Sequence, residues 1–157
     1  MSTKKDKFSL KDRFYMELAL DLAKAREGLT GLNPSVGCVI VKKDKIISIG
    51  QTSFKGRPHA EFNAIKQCID DLNGSKMYVT LEPCCHHGLT PPCTNIIIKS
   101  KISEVIYSVT DIDRRVRNKS LKILKSNNIN VKKVFLKIKL MTFIQIIFLI
   151  GKINYPT

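Results

Sequence analysis

The 157-residue sequence lacks a secretory signal and a long apolar run. Met1–Lys7 is rich in Lys and Asp, and it is not followed by the apolar stretch that a signal peptide requires. The longest apolar stretch, Leu140–Ile150, has 11 residues and contains Gln145, whereas a membrane-spanning helix needs about 20. We therefore expect a cytoplasmic protein that does not bind a membrane.

The sequence also lacks a glycine-rich dinucleotide motif, so binding of NADPH is not expected. Five cysteines are an odd number, which argues against a disulfide framework in a chain without a secretory signal. Cys84, Cys85 and Cys93 cluster together. Cys38 and Cys68 lie in apolar segments and are expected to be small buried side chains.

Acidic residues are few: 13 Asp and Glu stand against 27 Lys and Arg, which gives a net charge of +14. Such an excess can mark a nucleic-acid-binding protein. Here the lysines are scattered in a sequence that is also rich in Ile and Asn, and these residue types share A/T-rich codons. Genome composition is a sufficient explanation, so we expect a small-molecule partner rather than nucleic acid. A positive field would also suit a phosphorylated small molecule.

Helical patterns recur along residues 1–140, with no repeat, linker or second domain between them. Ser9–Asp12 resembles a capping box, and apolar residues at helical spacing then predict a first helix that ends near Gly28. Those apolar residues are Phe14, Leu18, Leu22 and Ala25. Further helices are predicted from His59 to about Leu72, from Pro91 to about Lys99, and over Lys119–Lys125.

Strands are predicted between these helices because short β-branched runs alternate with turn residues. They are Val36–Val41, Ile46–Ile49, Met77–Leu81, Glu104–Val109 and Val131–Phe135. The expected fold is α/β, a three-layer α/β/α sandwich around a mixed sheet of about five strands.

Two short segments hold all three histidines of the chain, a clustering that chance rarely produces. His59, Cys84 and Cys93 offer one imidazole and two thiolates, which lets a protein hold Zn²⁺ with a fourth position open to water. Glu61 is better placed to move the proton of that water than to bind the metal. Pro83 suits the first turn of a helix, so His59 and Cys84 are both expected at helix starts, which favour a thiolate. This combination is typical of zinc nucleobase deaminases.

Other interpretations of the same residues stay open. A closed structural zinc site made from the 84–87 segment and Cys93 would leave His59 and Glu61 without a role. Cys85 is expected to point away from the metal. The functional alternatives are a deaminase that acts on a free nucleoside or a tRNA base, and a non-catalytic zinc-stabilised module associated with nucleic acid.

Three segments resemble one family closely. Glu82–Cys93 (EPCCHHGLTPPC), with eight residues between Cys84 and Cys93 instead of two, resembles the deaminase half of the bifunctional riboflavin-biosynthesis deaminase/reductase. So do Asn33–Ile40 (NPSVGCVI) and Gly56–Glu61 (GRPHAE). The resemblance runs from about residue 14 to residue 135 and implies a cytidine deaminase-like fold.

The resemblance also implies an activity: hydrolytic removal of the 2-amino group of 2,5-diamino-6-hydroxy-4-(5-phosphoribosylamino)pyrimidine. It implies one Zn²⁺ per chain on His59, Cys84 and Cys93, with Glu61 as the proton relay. The implied substrate contacts are Asn33, His86 and Asp111. The oligomeric state is left open, with a homo-oligomer as one alternative.

Three positions depart from the family. Leu89 stands where the family commonly has a basic residue, Thr52 where it has His, and Asp113 where it has Asn. The loss of a cation and the gain of a carboxylate both predict weaker binding of a phosphorylated substrate. Three nearby cations could compensate: Arg114, Arg115 and Arg117.

The family normally continues into an NADPH-dependent reductase domain, and no segment of this chain corresponds to one. We expect a deaminase domain over residues 1–140 and an atypical tail, Met141–Thr157. With A/T-rich codons, a frame moved by one nucleotide can read the tail as NDFYTNYFFNRKNKLPY, which resembles the family's connecting segment. We hypothesise a frameshift near Leu140. The alternative is a stand-alone deaminase whose genuine apolar C-terminal helix packs on the sheet or on a partner subunit.

Overall fold

A mixed five-stranded sheet organises residues 8–134, the part of the chain that the computed structural model describes. The strands are β1 (Gly37–Lys42), β2 (Lys45–Gln51), β3 (Lys76–Leu81), β4 (Glu104–Val109) and β5 (Asn130–Lys133). Their order across the sheet is β2-β1-β3-β4-β5. Strand β1 pairs antiparallel with β2 and β3, whereas β3, β4 and β5 run parallel. The predicted mixed sheet is confirmed.

Helices cover both faces of this sheet. They are α1 (Leu10–Lys24), α2 (Ala60–Gln67), α3 (Cys93–Lys99) and α4 (Lys119–Ser126). Alternate strand residues face opposite layers, as the pleat requires: Val39 and Tyr78 pack against α1, whereas Cys38 and Met77 belong to the cluster that contains residues of α2, α3 and α4. The three-layer α/β/α arrangement is therefore as expected.

Helix α1 begins at the predicted capping box, in which Ser9 Oγ accepts the Asp12 N–H at 3.1 Å and Asp12 Oδ2 accepts the Ser9 N–H at 3.0 Å. The predicted apolar stripe is buried only in part: Phe14 is 59% exposed and Ala25 is exposed, whereas Leu18 and Leu22 are half-buried and pack against the core. The buried side chains of α1 are Tyr15, Met16, Ala19, Leu20 and Ala23.

A close approach between α1 and β1 explains this shift. A Cβ atom at Gly37 would overlap the Ala19 carbonyl and stand 2.9 Å from the Ala23 nitrogen. Only small residues of α1 can therefore lie opposite Gly37, and Ala19 and Ala23 occupy these positions. The helix also ends before the predicted Gly28, and the Ser35 hydroxyl donates to the Ala23 carbonyl at that end.

Helix α2 is shorter than predicted and ends at Gln67, because Cys68 adopts an extended conformation. Cys68 is partly exposed rather than buried as expected, whereas Cys38 is fully buried. A Cβ atom at Gly50 would overlap the Ala60 carbonyl. This tight contact sets the N-terminal end of α2, and with it His59, against the β1–β2 edge of the sheet.

No helix in the described part of the chain is long and apolar enough to cross a membrane. The end of the predicted last strand (Phe135) and the tail Met141–Thr157 lie outside the described residues.

Candidate active site

A cleft of about 1350 Å³ lies at the carboxyl ends of β3 and β4, beside the N-terminal end of α2. Six of the seven site residues predicted from the sequence line this cleft: Asn33, His59, Glu61, Cys84, His86 and Asp111. The seventh, Cys93, is buried next to His59. The structure thus brings together residues that lie up to 78 positions apart in the chain.

Three of these side chains form a compact donor set. His59 Nδ1 lies 3.6 Å from Cys84 Sγ and 3.5 Å from Cys93 Sγ, and the three atoms are all within 4.8 Å of one another. In a tetrahedral site with Zn–S of about 2.3 Å and Zn–N of about 2.0–2.1 Å, nitrogen and sulfur ligands stand about 3.5 Å apart. Both nitrogen–sulfur distances therefore fit one Zn²⁺.

The elements that carry the three donors differ in part from those predicted. His59 caps the N-terminus of α2 as expected, but no helix begins at Pro83. Instead the loop after β3 folds back onto the start of α3. Cys84 Sγ accepts the N–H of Cys93 at 3.2 Å, and the Cys84 carbonyl accepts the N–H of Thr94 at 3.1 Å. These two bonds hold Cys84 in a loop and still place it beside backbone donors.

The two thiols differ in acidity. Hydrogen bonds from Cys93 and His59 lower the pKa of Cys84 to about 4, although burial opposes this. The pKa of Cys93 is raised, because it shares a proton with the Cys84 thiolate and is itself buried. Cys84 is thus ready to bind a cation, whereas Cys93 must release a proton when a metal binds.

Glu61 is only 4% exposed, in the first turn of α2. Burial raises its pKa to about 7, and the nearby Cys84 thiolate adds to this effect while His59 opposes it. A carboxyl group with such a pKa can both accept and return a proton near neutral pH.

Asn33 also lines the cleft. Its Nδ2 donates to the Gly56 carbonyl at 3.0 Å. Gly56 has a φ of +98°, and a Cβ atom there would stand 2.5 Å from the Thr30 oxygen. Only glycine fits this contact, which fixes the loop that carries Asn33.

His86 and Asp111 complete the wall near the carboxyl end of β4. His86 Nδ1 is buried and has no hydrogen-bond partner among residues 8–134. Asp111 Oδ1 accepts the N–H of Asp113 at 2.8 Å, and burial raises the pKa of Asp111.

The sequence reasoning assigned no role to Glu82, Arg57 or Thr90, which also line the cleft. Glu82 is 2% exposed, and its carboxylate accepts the Ser120 hydroxyl at 2.6 Å. Arg57 Nη1 donates to Thr90 Oγ1 at 2.6 Å. Two features of the sequence could have indicated these residues. Glu82 is a charged residue directly after an apolar strand, and Arg57 lies two residues before His59.

The structure clarifies two of the three departures from the family. Thr52 is buried, where its hydroxyl accepts the Val36 N–H at 2.9 Å and donates to the Pro34 carbonyl at 3.2 Å. Asp113 forms a two-pronged ion pair with Arg115, whose guanidinium lowers the pKa of Asp113 to about 2. The added carboxylate is thus neutralised by its neighbour.

The third departure, Leu89, is 89% exposed and does not line the cleft. Of the three arginines considered as compensation, Arg114 and Arg115 line the cleft and Arg117 does not.

Sequence comparison identifies relatives of this chain. The profile of the family described as "Cytidine and deoxycytidylate deaminase zinc-binding region" matches residues 9–109. The diaminohydroxyphosphoribosylamino-pyrimidine deaminase of Buchnera aphidicola subsp. Schizaphis graminum is 46% identical over 123 residues, which cover 78% of this chain and 84% of the relative. The riboflavin biosynthesis protein RibD of Aquifex aeolicus is 45% identical over 120 residues, 76% of this chain. The chain spans about a third (34%) of that relative's length.

Solved structures similar to this chain include deaminases of the same family. RibD of Acinetobacter baumannii (form 2) superposes with a TM-score of 0.83 at 36% identity, covering 93% of this chain and 41% of that protein. The diaminohydroxyphosphoribosylaminopyrimidine deaminase/5-amino-6-(5-phosphoribosylamino)uracil reductase of Thermotoga maritima gives 0.80 at 34% identity, covering 93% and 42%. The dCMP deaminase of cyanophage S-TIM5 shares the fold, with a TM-score of 0.63 at 20% identity, covering 81% and 100%.

Proposed function

The chain belongs to the diaminohydroxyphosphoribosylaminopyrimidine deaminases, within the cytidine and deoxycytidylate deaminase zinc-binding family, and on that premise we propose the reaction it catalyses. It hydrolyses the 2-amino group from 2,5-diamino-6-hydroxy-4-(5-phosphoribosylamino)pyrimidine. The products are 5-amino-6-(5-phosphoribosylamino)uracil and ammonia.

The observation that carries this proposal is the donor set of His59, Cys84 and Cys93 beside the buried Glu61. These three donors would hold one Zn²⁺ per chain. When bound, zinc supplies a Lewis acid that lowers the pKa of a water molecule. Glu61 takes the two protons of the attacking water in turn, and it passes one to the ring nitrogen and the other to the leaving amine.

The other walls of the cleft position the substrate in this proposal. The Asn33 amide has no hydrogen bond to its oxygen in the described part of the chain, which leaves that oxygen to accept from the pyrimidine. His86 lines the pocket, and Asp111 faces the ribose-phosphate arm. Residues 1–140 form the catalytic domain, and NADPH has no role in it. The frameshift interpretation of the tail stays a prediction, because those residues are not described.

An ammonia-release assay tests the function directly. The zinc-loaded protein is offered the pathway pyrimidine, cytidine and a tRNA anticodon stem in parallel. We expect turnover of the pathway pyrimidine alone. Turnover of cytidine alone would assign the protein to nucleoside deamination, and turnover of the RNA would assign it to tRNA editing. A protein that binds zinc and turns over none of the three would fit a non-catalytic module.

A further inference from the structure

The cleft needs a cation if its substrate carries a phosphate. Its lining is rich in carboxyl groups that are not paired with a cation among the described residues and that would repel a phosphate monoester when ionised: Glu27, Glu61, Glu82 and Asp111. The permanently charged cations on the lining are three arginines: Arg57, Arg114 and Arg115. The anionic arm of the substrate must therefore lie near one of these guanidinium groups.

The three arginines are not equally available. Arg115 is committed to Asp113, with its Nη2 2.6 Å from Asp113 Oδ2, and its side chain is 68% exposed. Arg114 is exposed and has no hydrogen bond from its side chain among the described residues. Arg57 is half-buried and is not part of an ion pair in residues 8–134. Its charge is thus uncompensated and its position is defined.

Thr90 orients the guanidinium of Arg57. The 2.6 Å bond uses one of the five N–H donors of Arg57 and leaves the others for a ligand. As the acceptor of this bond, the Thr90 hydroxyl keeps its own hydrogen to donate. Gly88 leaves room beside the pair, since even a methyl group there would stand 3.5 Å from Arg57 Nη2. A planar cationic fork next to a free hydroxyl is suited to a phosphate.

This pair is tied to the metal centre from both sides. Arg57 lies two residues before His59, and Thr90 lies in the loop between Cys84 and Cys93. A group held by Arg57 and Thr90 is therefore kept at a set position relative to the three donors. The neighbouring Leu89 offers no charge and points away from the cleft.

We propose that Arg57, oriented by Thr90, binds the phosphate of the substrate and sets the preference for the phosphorylated over the unphosphorylated pyrimidine. This inference rests on the proposed function and adds a specificity-determining residue to it. Thr90 is a positioning residue in this scheme, since it acts through Arg57.

Arg57→Met removes the charge and keeps the length of the side chain. For the phosphorylated substrate we expect KM to rise about 10–100-fold, with kcat within about twofold. The phosphatase-treated substrate should show little change in KM. Arg57→Lys should recover only part of the loss, because lysine offers a point charge without the fork. Thr90→Val should shift KM in the same direction by a smaller factor.

Arg117→Met is the matched control, because it removes the same charge from an exposed site that does not line the cleft. It should leave both substrates unaffected. Equal losses on both substrates in Arg57→Met, or equal effects of the two variants, would overturn the proposal. The zinc content and Tm of each variant show whether it has folded.

Binding of ribose 5-phosphate, measured by calorimetry, separates this inference from the proposed function. If the wild type releases no ammonia but binds ribose 5-phosphate through Arg57, the reaction is wrong and the subsite stands. If turnover is normal and Arg57→Met binds ribose 5-phosphate as the wild type does, the subsite alone is wrong. If the wild type neither turns over nor binds, both fail.

Discussion

The carboxylate of Glu82 accepts the backbone N–H of Asp111 at 3.2 Å. Its other oxygen accepts the Ser120 hydroxyl at 2.6 Å, so this one buried side chain joins the end of β3 to the loop after β4 and to α4. The Glu82 carboxylate is the acceptor in both bonds. They compensate for its burial, because Glu82 has no cationic partner within residues 8–134. The contact with Glu82 helps to hold Asp111 at the cleft.

Glu82→Gln should therefore destabilise the protein and weaken substrate binding. The substitution replaces two charge-assisted hydrogen bonds by weaker neutral ones, and it requires the Ser120 hydroxyl to turn from donor to acceptor. We expect the free energy of unfolding to fall by about 1–3 kcal/mol, measured by urea denaturation, and KM to rise.

Glu104→Gln is the control for this change. Glu104 is itself buried, but it pairs with Lys76 and Lys132, whose side chains are substantially exposed and stay in contact with water when the carboxylate is lost, so this change should cost less than Glu82→Gln. Equal destabilisation by the two variants would contradict the role assigned to Glu82.

Glu61→Gln tests the catalytic assignment. Without a carboxylate to carry the proton, kcat should fall by about 10²–10⁴-fold, while the zinc content measured by mass spectrometry stays that of the wild type. Glu17→Gln, on the exposed face of α1, should change neither quantity. Unchanged turnover in Glu61→Gln would mean that another group moves the proton.

Two neighbouring cysteines test which residues hold the metal. Cys84 Sγ lies 3.6 Å from His59 Nδ1, whereas Cys85 Sγ faces the Arg115 carbonyl at 3.4 Å. Cys84→Ser should lose most of its zinc and unfold at a lower temperature, since bound metal stabilises the folded state. Cys85→Ser should keep the zinc content of the wild type. Loss of zinc in Cys85→Ser would favour the closed structural site instead.

The contact between Tyr78 and Asp12 predicts a pH dependence of stability. The Tyr78 hydroxyl donates to Asp12 Oδ1 at 2.6 Å. Burial alone would raise the pKa of Asp12, but the hydrogen bonds from Tyr78 and Ser9 bring it below its usual 3.8. A lowered pKa stabilises the fold above pH 3.8, and this contribution is lost as the pH falls through the folded-state pKa.

Tyr78→Phe should accordingly lower the free energy of unfolding by about 1 kcal/mol at neutral pH and by less at a pH below the folded-state pKa of Asp12. Tyr15→Phe is the matched control, because the Tyr15 hydroxyl donates to the neutral carbonyl of Asp44 at 3.0 Å. Its effect should not depend on the ionisation of Asp12. Denaturant titrations over this pH range compare the two variants, and a pH-independent loss in Tyr78→Phe would refute the prediction.

Sequence patterns predicted correctly those elements whose structure depends mainly on their own residues. Strand β4 has the bounds that its apolar run predicts, Glu104–Val109, and the capping box of α1 is formed as expected. They did not predict those features that depend on a contact between residues far apart in the chain. The buried face of α1 depends on Gly37, and the loop at Pro83 depends on the bond from Cys93 to Cys84. Neither contact is visible in a window of neighbouring residues.

The sequence by itself determined the chemistry of the candidate site, because the donor atoms and the proton carrier are properties of residue types. An imidazole, two thiols and a carboxyl group in the segments around His59 and Cys84 were enough to predict zinc and deamination. Only the tertiary structure decided how far apart these groups lie, which thiol ionises and which arginine of the cleft is oriented by Thr90. Those properties depend on burial and on bonds such as that from Arg57 to Thr90, 33 residues apart in the chain.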